Sequence, residues 1–154
     1  MTNSVSDKNT KSRWPAIVVF LVGMHSILLG LTIYFFTDFF YKFFFAASLE
    51  NPFFVRQSGT FLFLAGLFYL YPLLNLKSYH NLILLVIFSK IVAVYFLIAN
   101  AAYTTAQVMI YLAAFFDGLM AIVLVGVYFR IKMNISRSKK NILNKEEAGI
   151  KEIA

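Results

Sequence analysis

The sequence predicts an all-α integral membrane protein, a four-helix bundle with a short interfacial helix between its first and second spans. Three observations carry this prediction. The 154 residues are 60% hydrophobic and 18% aromatic, only 14% are charged, and the mean hydropathy is +0.75. A soluble domain of this length has too little interior for so much apolar surface, so its solvent is lipid. Four apolar stretches of about 20 residues each are long enough, at ~1.5 Å per residue, to cross a ~30 Å hydrocarbon layer. The basic residues, although they give a net charge of +7, collect at the ends of those stretches. That placement fits the positive-inside rule and anionic lipid headgroups, and argues against nucleic acid as a partner. Cysteine is absent. This excludes disulfides, thiolate metal sites, Fe–S clusters, lipobox anchoring and cysteine nucleophiles together.

Residues 1–14 form a polar segment carrying Lys8, Lys11 and Arg13, expected to be cytoplasmic and mostly disordered. Pro15 opens the first span, residues 15–36. A basic start and an apolar run also describe a signal peptide. This run is too long for an h-region, however, and the nearest small-residue site, Ala46-Ala47-Ser48, lies well past its end, so a retained helix is expected. Residues 38–50 are too charged to span. Phe39, Phe40, Phe43, Phe44 and Ala47 recur at helical spacing, and Asp38 and Lys42 form an i,i+4 pair, which suits a helix lying in the interface. The alternative is that the first helix runs on, tilted, with an aromatic belt at its exit.

Asn51 as N-cap and Pro52 in the first turn start the second span, residues 52–74. Arg56, Gly59, Phe63, Gly66 and Leu70 follow at spacings of three and four and so share one face. The glycines permit a close neighbouring backbone there, and Arg56 is expected to point into the bundle. Gly23 and Gly30 in the first span repeat the seven-residue step of Gly59 and Gly66, so the first two spans are expected to pack along small-residue stripes. The third span covers residues 79–99. After a tight uncharged turn the fourth covers 107–129, leaving 131–154 as a basic cytoplasmic tail.

Four spans put both termini and the second loop on one side. That side holds eleven basic residues, against Lys42 and Arg56 on the other. The expected setting is therefore a bacterial inner membrane with both termini in the cytoplasm.

Four ionisable side chains fall within the spans: His25, Arg56, Lys90 and Asp117. Charge near a helix centre costs at least ~2.5 kcal/mol on insertion scales, so each needs a partner. Lys90 lies ~16 Å and Asp117 ~19 Å from the cytoplasmic helix ends at ~1.5 Å per residue, on helices joined by a tight turn. They are expected to pair. Such a pair is either a register clamp or a protonatable or ligand-binding centre, and the residues leave both open. Arg56 lies about one turn inside the other surface. It is expected to serve locally, through Glu50 or phosphates, with Gln57 and Ser58 making a polar mouth between the second and third spans. His25 shares a face with Thr32 and is expected to be a neutral, hydrogen-bonded core residue. His80 lies roughly 15 Å away in depth, which disfavours bis-histidine haem. Tyr69, Tyr71, Tyr95, Tyr103, Tyr111 and Tyr128 are read as belt residues. No HExxH, GxSxG or Walker A motif and no metal-spaced cluster is present.

With Pro52-Phe53, Arg56, Gly59, Gly66, Tyr69, Lys90 and Asp117 in place, the chain resembles, over about residues 15–130, the DoxX-like group of small bacterial membrane proteins. The resemblance implies a four-helix bundle in the inner membrane and an accessory role beside a redox enzyme, since one branch supplies the small subunit of a thiosulfate–quinone oxidoreductase. This chain carries no redox ligand of its own.

The functional expectation is a non-enzymatic accessory or structural subunit that packs against other membrane proteins or itself. The alternative is a binder or carrier of a lipid-like or quinone-like molecule anchored on Lys90 and Asp117. No catalytic residue, metal or resident cofactor is expected. The tail from residue 130 holds seven basic and three acidic residues and is expected to rest on anionic headgroups, each basic side chain drawn by ~1 kcal/mol. A peptide of residues 130–154 should bind liposomes in proportion to anionic lipid and release with salt. Binding indifferent to both would remove the electrostatic account.

Overall fold

The computed structural model describes residues 13–45, 49–103 and 107–153. The expected N-terminal disorder up to residue 12, the Ala46-Ala47-Ser48 site and the middle of the turn before the fourth span lie outside the described residues. Among those described, every regular element is helical: α1 (Trp14–Phe35), α2 (Thr37–Phe45), α3 (Phe53–Leu70, prolonged by a 3₁₀ turn at Tyr71–Leu74), α4 (His80–Ala101) and α5 (Gln107–Ile153). Four helical stretches are long and apolar enough to cross a membrane: Trp14–Phe35, Phe53–Leu74, His80–Ala101 and the part of α5 at Val108–Asn144.

Local chemistry sets several ends. Asn51 Oδ1 accepts the Phe53 N–H at 2.9 Å, and Pro52 is already helical at φ −77°, so the expected cap forms. Asn75 closes the next turn by accepting the Ser78 and Tyr79 N–H groups through its side chain and carbonyl. Phe36, at φ −115° and ψ 38°, breaks α1 from α2. The bond from Phe40 N–H to Phe36 O bridges the break, so α2 follows α1 after a single residue. Three aromatic pairs stack one turn apart along α2, Phe39–Phe43, Phe40–Phe44 and Tyr41–Phe45. The expected Asp38–Lys42 pair does not close into a salt bridge. An exposed i,i+4 pair contributes only ~0.3–0.5 kcal/mol, too little to overrule the stacking rings.

The fourth helix departs from expectation. It continues to Ile153 as one helix of 47 residues, roughly 70 Å at ~1.5 Å per residue, more than twice the hydrocarbon thickness. Neither proline nor glycine interrupts residues 127–148, and lysine, arginine and leucine are good helix formers. Ile131 is buried and Ile135 packs on the core, so the turns beyond the expected end are still tethered.

The helices form two antiparallel pairs, α1 with α3 and α4 with α5. The pairs meet mainly through α1 against α5, and α3 barely touches α4. The shared core consists of Val19 and Val22 on α1, Ile83, Val86 and Ile87 on α4, and Leu124, Val127 and Ile131 on α5. These residues lie in the half of the bundle where α1 and α4 begin. In the other half Ile33 and Thr37 meet α3 at Gly59 and Arg56, and Ala101 of α4 and Ile110 and Ala114 of α5 are buried.

Glycine makes the α1–α3 contact possible. A Cβ on Gly30 would stand 2.5 Å from Phe63 N and 2.7 Å from Gly59 O, and one on Gly59 would stand 2.8 Å from Gly30 O. One helical step further, a Cβ on Gly66 would meet Ile27 N at 2.7 Å and Gly23 O at 2.9 Å. The equal seven-residue steps run in opposite directions, so both glycine pairs meet face to face. Gly30→Ala and Gly59→Ala are expected to lower thermal stability in detergent by ~1–3 kcal/mol each, because backbone must move. Gly126→Ala, with nothing within 4 Å, is expected to be neutral or to stabilise by up to ~1 kcal/mol. Equal responses at all three would refute close backbone approach as the constraint.

Candidate functional site at mid-membrane

Lys90 is the central residue of α4, in a run that is apolar apart from Ser89, and Asp117 stands opposite on α5. Lys90 Nζ donates to Asp117 Oδ1 at 2.6 Å, and the two side chains are 5% and 17% exposed. This is the only salt bridge among the described residues. Buried Ala114 and Ala121 flank Asp117 and let α4 approach. Opposite charges held this way neutralise each other where water is absent.

A second contact joins the pairs at this level. Ser89 Oγ donates to Val86 O at 2.8 Å, which commits its one proton. Tyr69 on α3 therefore donates its hydroxyl to Ser89 Oγ, at 2.6 Å. The Tyr69 ring lies 5.9 Å from Lys90 Nζ, within cation–π range. Tyr69 is thus no simple belt residue. The signal in the sequence was Ser89, a hydroxyl beside the buried lysine in an otherwise apolar run.

His25 corrects an expectation. It lies on the exposed side of α1, within Coulombic reach of Lys90 and Asp117 but hydrogen-bonded to neither. Ser26, fully buried, turns inward instead and donates to Val22 O at 3.3 Å. Thr32 does share the His25 side, and it too is exposed, bonding Leu28 O at 2.8 Å. His80 is remote from His25: its Nδ1 is 2.8 Å from Lys77 O and its ring stacks on Tyr128.

Arg56 does not point into the bundle. It is exposed, and its Nε donates to Thr37 Oγ1 at 3.3 Å, tying α3 to the head of α2. Thr37, 2% exposed, in turn donates to Ile33 O at 2.7 Å, with Tyr34 O at 3.0 Å. The partner of Arg56 is thus Thr37 and not the expected Glu50. The groove beside Arg56 and Gln57 lies between α1 and α3 rather than between the second and third spans, and it is mostly apolar: an open groove of about 500 Å³ lined by Tyr34, Pro52, Phe53 and Phe61 with Asn51, Arg56, Gln57 and Thr60 at its edge. The grooves on the α4–α5 face and beside Trp14 likewise leave Lys90 and Asp117 out.

Comparison with protein families, characterised proteins and solved structures finds no match to this chain.

The pair makes a sharp energetic prediction. Removing one member of a buried ion pair strands the other at a cost of ~3–5 kcal/mol, whereas replacing both with apolar groups is close to neutral. Partners found in the membrane-unfolded state shrink these values without changing their order. Lys90→Met and Asp117→Leu should each lower the melting temperature in detergent, and the double variant should regain much of the loss. Additive losses would show that the two groups are not coupled.

Proposed function

We propose that the protein is a non-catalytic membrane subunit whose task is to seat against another membrane protein or a second copy of itself, with the Lys90–Asp117 pair as scaffolding. The observation that carries this reading is the state of α3. Only 11% of its span is buried against the rest of the chain, the least of the four. It packs on α1 through its glycine face and leaves Phe53, Phe54, Phe61 and Phe68 exposed. A bundle helix ordinarily has two neighbours. Here α3 packs closely on α1 alone and meets α4 only lightly, at Tyr69, and the place beside it suits another protein's helix. The likeness to DoxX-like proteins at Arg56, Gly59, Gly66, Lys90 and Asp117 supports the same reading. The charge asymmetry supports an inner-membrane setting with cytoplasmic termini, and the amphipathic pattern of α2 supports an interfacial position for it.

The carrier reading, with Lys90 and Asp117 gripping a lipid-like or quinone-like molecule, is less well supported. Nζ is already engaged at 2.6 Å and almost fully covered, so a ligand would first have to open the pair. After extraction in mild detergent, native mass measurement should find the chain with a partner protein or as an oligomer. A homogeneous lone monomer from gentle extraction would overturn the subunit proposal.

A further inference from the structure

At the end of the bundle where α1 begins, α5 carries Arg130, Asn134 and Arg137 on one face, beside Trp14 of α1. Together with Gly126 and Met133 they line a groove of about 360 Å³. Its two parts differ chemically. The upper part holds two guanidinium groups and an amide, and no carboxylate is among the lining side chains. Neither arginine has a salt bridge among the described residues. The Arg130 guanidinium lies 6.0 Å from the Trp14 ring centre, which brings its charge to the mouth of the groove. The lower part, on the membrane side, is a notch at Gly126, where an added Cβ would meet nothing within 4 Å. Gly126 lies one turn deeper than Arg130, so charge stands above and empty apolar space below.

We infer that this groove is a discrete binding site for one anionic glycerophospholipid. Its phosphodiester sits between Arg130 and Arg137, and an acyl chain runs down over Gly126. Guanidinium is the side chain best matched to phosphate oxygens, through paired N–H donors. Arg130 and Arg137 are seven residues apart, about 10 Å along the helix, so both reach one headgroup from either side. Asn134 lies between them and adds an amide donor. Trp14 sits where indoles gather, at the headgroup level. The site is independent of the subunit reading, because neither α3 nor the Lys90–Asp117 pair takes part. It also differs from a diffuse basic foot, since it saturates at one lipid per chain.

Full-length protein in detergent, titrated with dioleoyl phosphatidylglycerol and followed by native mass spectrometry, tests it. One lipid per chain should be retained, in preference to phosphatidylethanolamine. Arg130→Gln combined with Arg137→Gln should weaken retention about thirtyfold, the loss expected when two guanidinium–phosphate contacts are removed. Lys139→Gln combined with Lys140→Gln removes the same charge outside the groove but no contact with the headgroup, and should leave retention within about twofold. Gly126→Leu keeps both arginines and fills the notch, so it should abolish lipid retention. Equal weakening by the two double substitutions would reduce the site to general electrostatics and overturn it. Retention that survives Gly126→Leu would overturn the acyl-chain placement. Displacement of the lipid by millimolar inorganic phosphate would show a free-anion site and overturn the lipid assignment.

Discussion

A lysine at the centre of an apolar helix has nowhere to go. Its ammonium is too far from either surface to reach headgroups along its own stem, and an unpaired charge in hydrocarbon costs more than most single contacts return. The 2.6 Å contact with Asp117 is therefore the constraint on which the α4–α5 half depends. It fixes the depth of one helix against the other, because sliding by a turn would strand both charges. It also selects the residues around it. Ala114 and Ala121 are small because α4 must come near, and the Tyr69 ring covers the ammonium from the α3 side. Every side-chain nitrogen or oxygen buried among the described residues has a hydrogen-bond partner, so the layer is electrostatically closed.

The α1–α3 half reaches the same end by different means. It has no internal ion pair at mid-depth. Its two helices are held by backbone approach at two glycine pairs, where dispersion acts over short distances and side-chain entropy is not lost. Charge enters only at the end, where Arg56 meets Thr37. Gly118 and Gly126 of α5 take no part in comparable packing. Gly118 has ordinary clearance from Val94, and Gly126 has open space. One pair thus holds its register by shape and the other by charge.

What could be seen in the sequence follows from this division. Glycine spacing survives as a one-dimensional signal, because equal seven-residue steps on antiparallel helices must coincide in space. The depth of Lys90 and Asp117 could be counted along the helices, because a tight turn makes those helices antiparallel neighbours and their two counts comparable. Directions around a helix were harder. Successive residues are separated by about 100°, so His25 and Ser26 face different surroundings, and a weak amphipathic pattern did not say which faced inward. The Tyr69–Ser89 and Arg56–Thr37 hydrogen bonds link residues 20 and 19 apart in sequence through long side chains, and nothing in local spacing encodes their reach. The full length of α5 was hidden by charge, which marks a membrane boundary but not a helix end. Lysine and arginine stop a span without stopping the helix.

The two pairs are joined unevenly. Their common core, from Val19 to Ile131, occupies the half of the bundle where α1 and α4 begin, and the Tyr69–Ser89 hydrogen bond closes it at its upper edge. Beyond that level register is kept within each pair by glycine contact or by the ion pair. Mid-membrane polarity and shared packing therefore meet at one level. The Lys90–Asp117 pair sits where the common core ends, and there charge takes over from apolar burial in holding α4 to α5. Asp117 takes no part in the glycine contacts between α1 and α3, so loss of its charge would loosen α5 from α4 while the α1–α3 pair kept its own register.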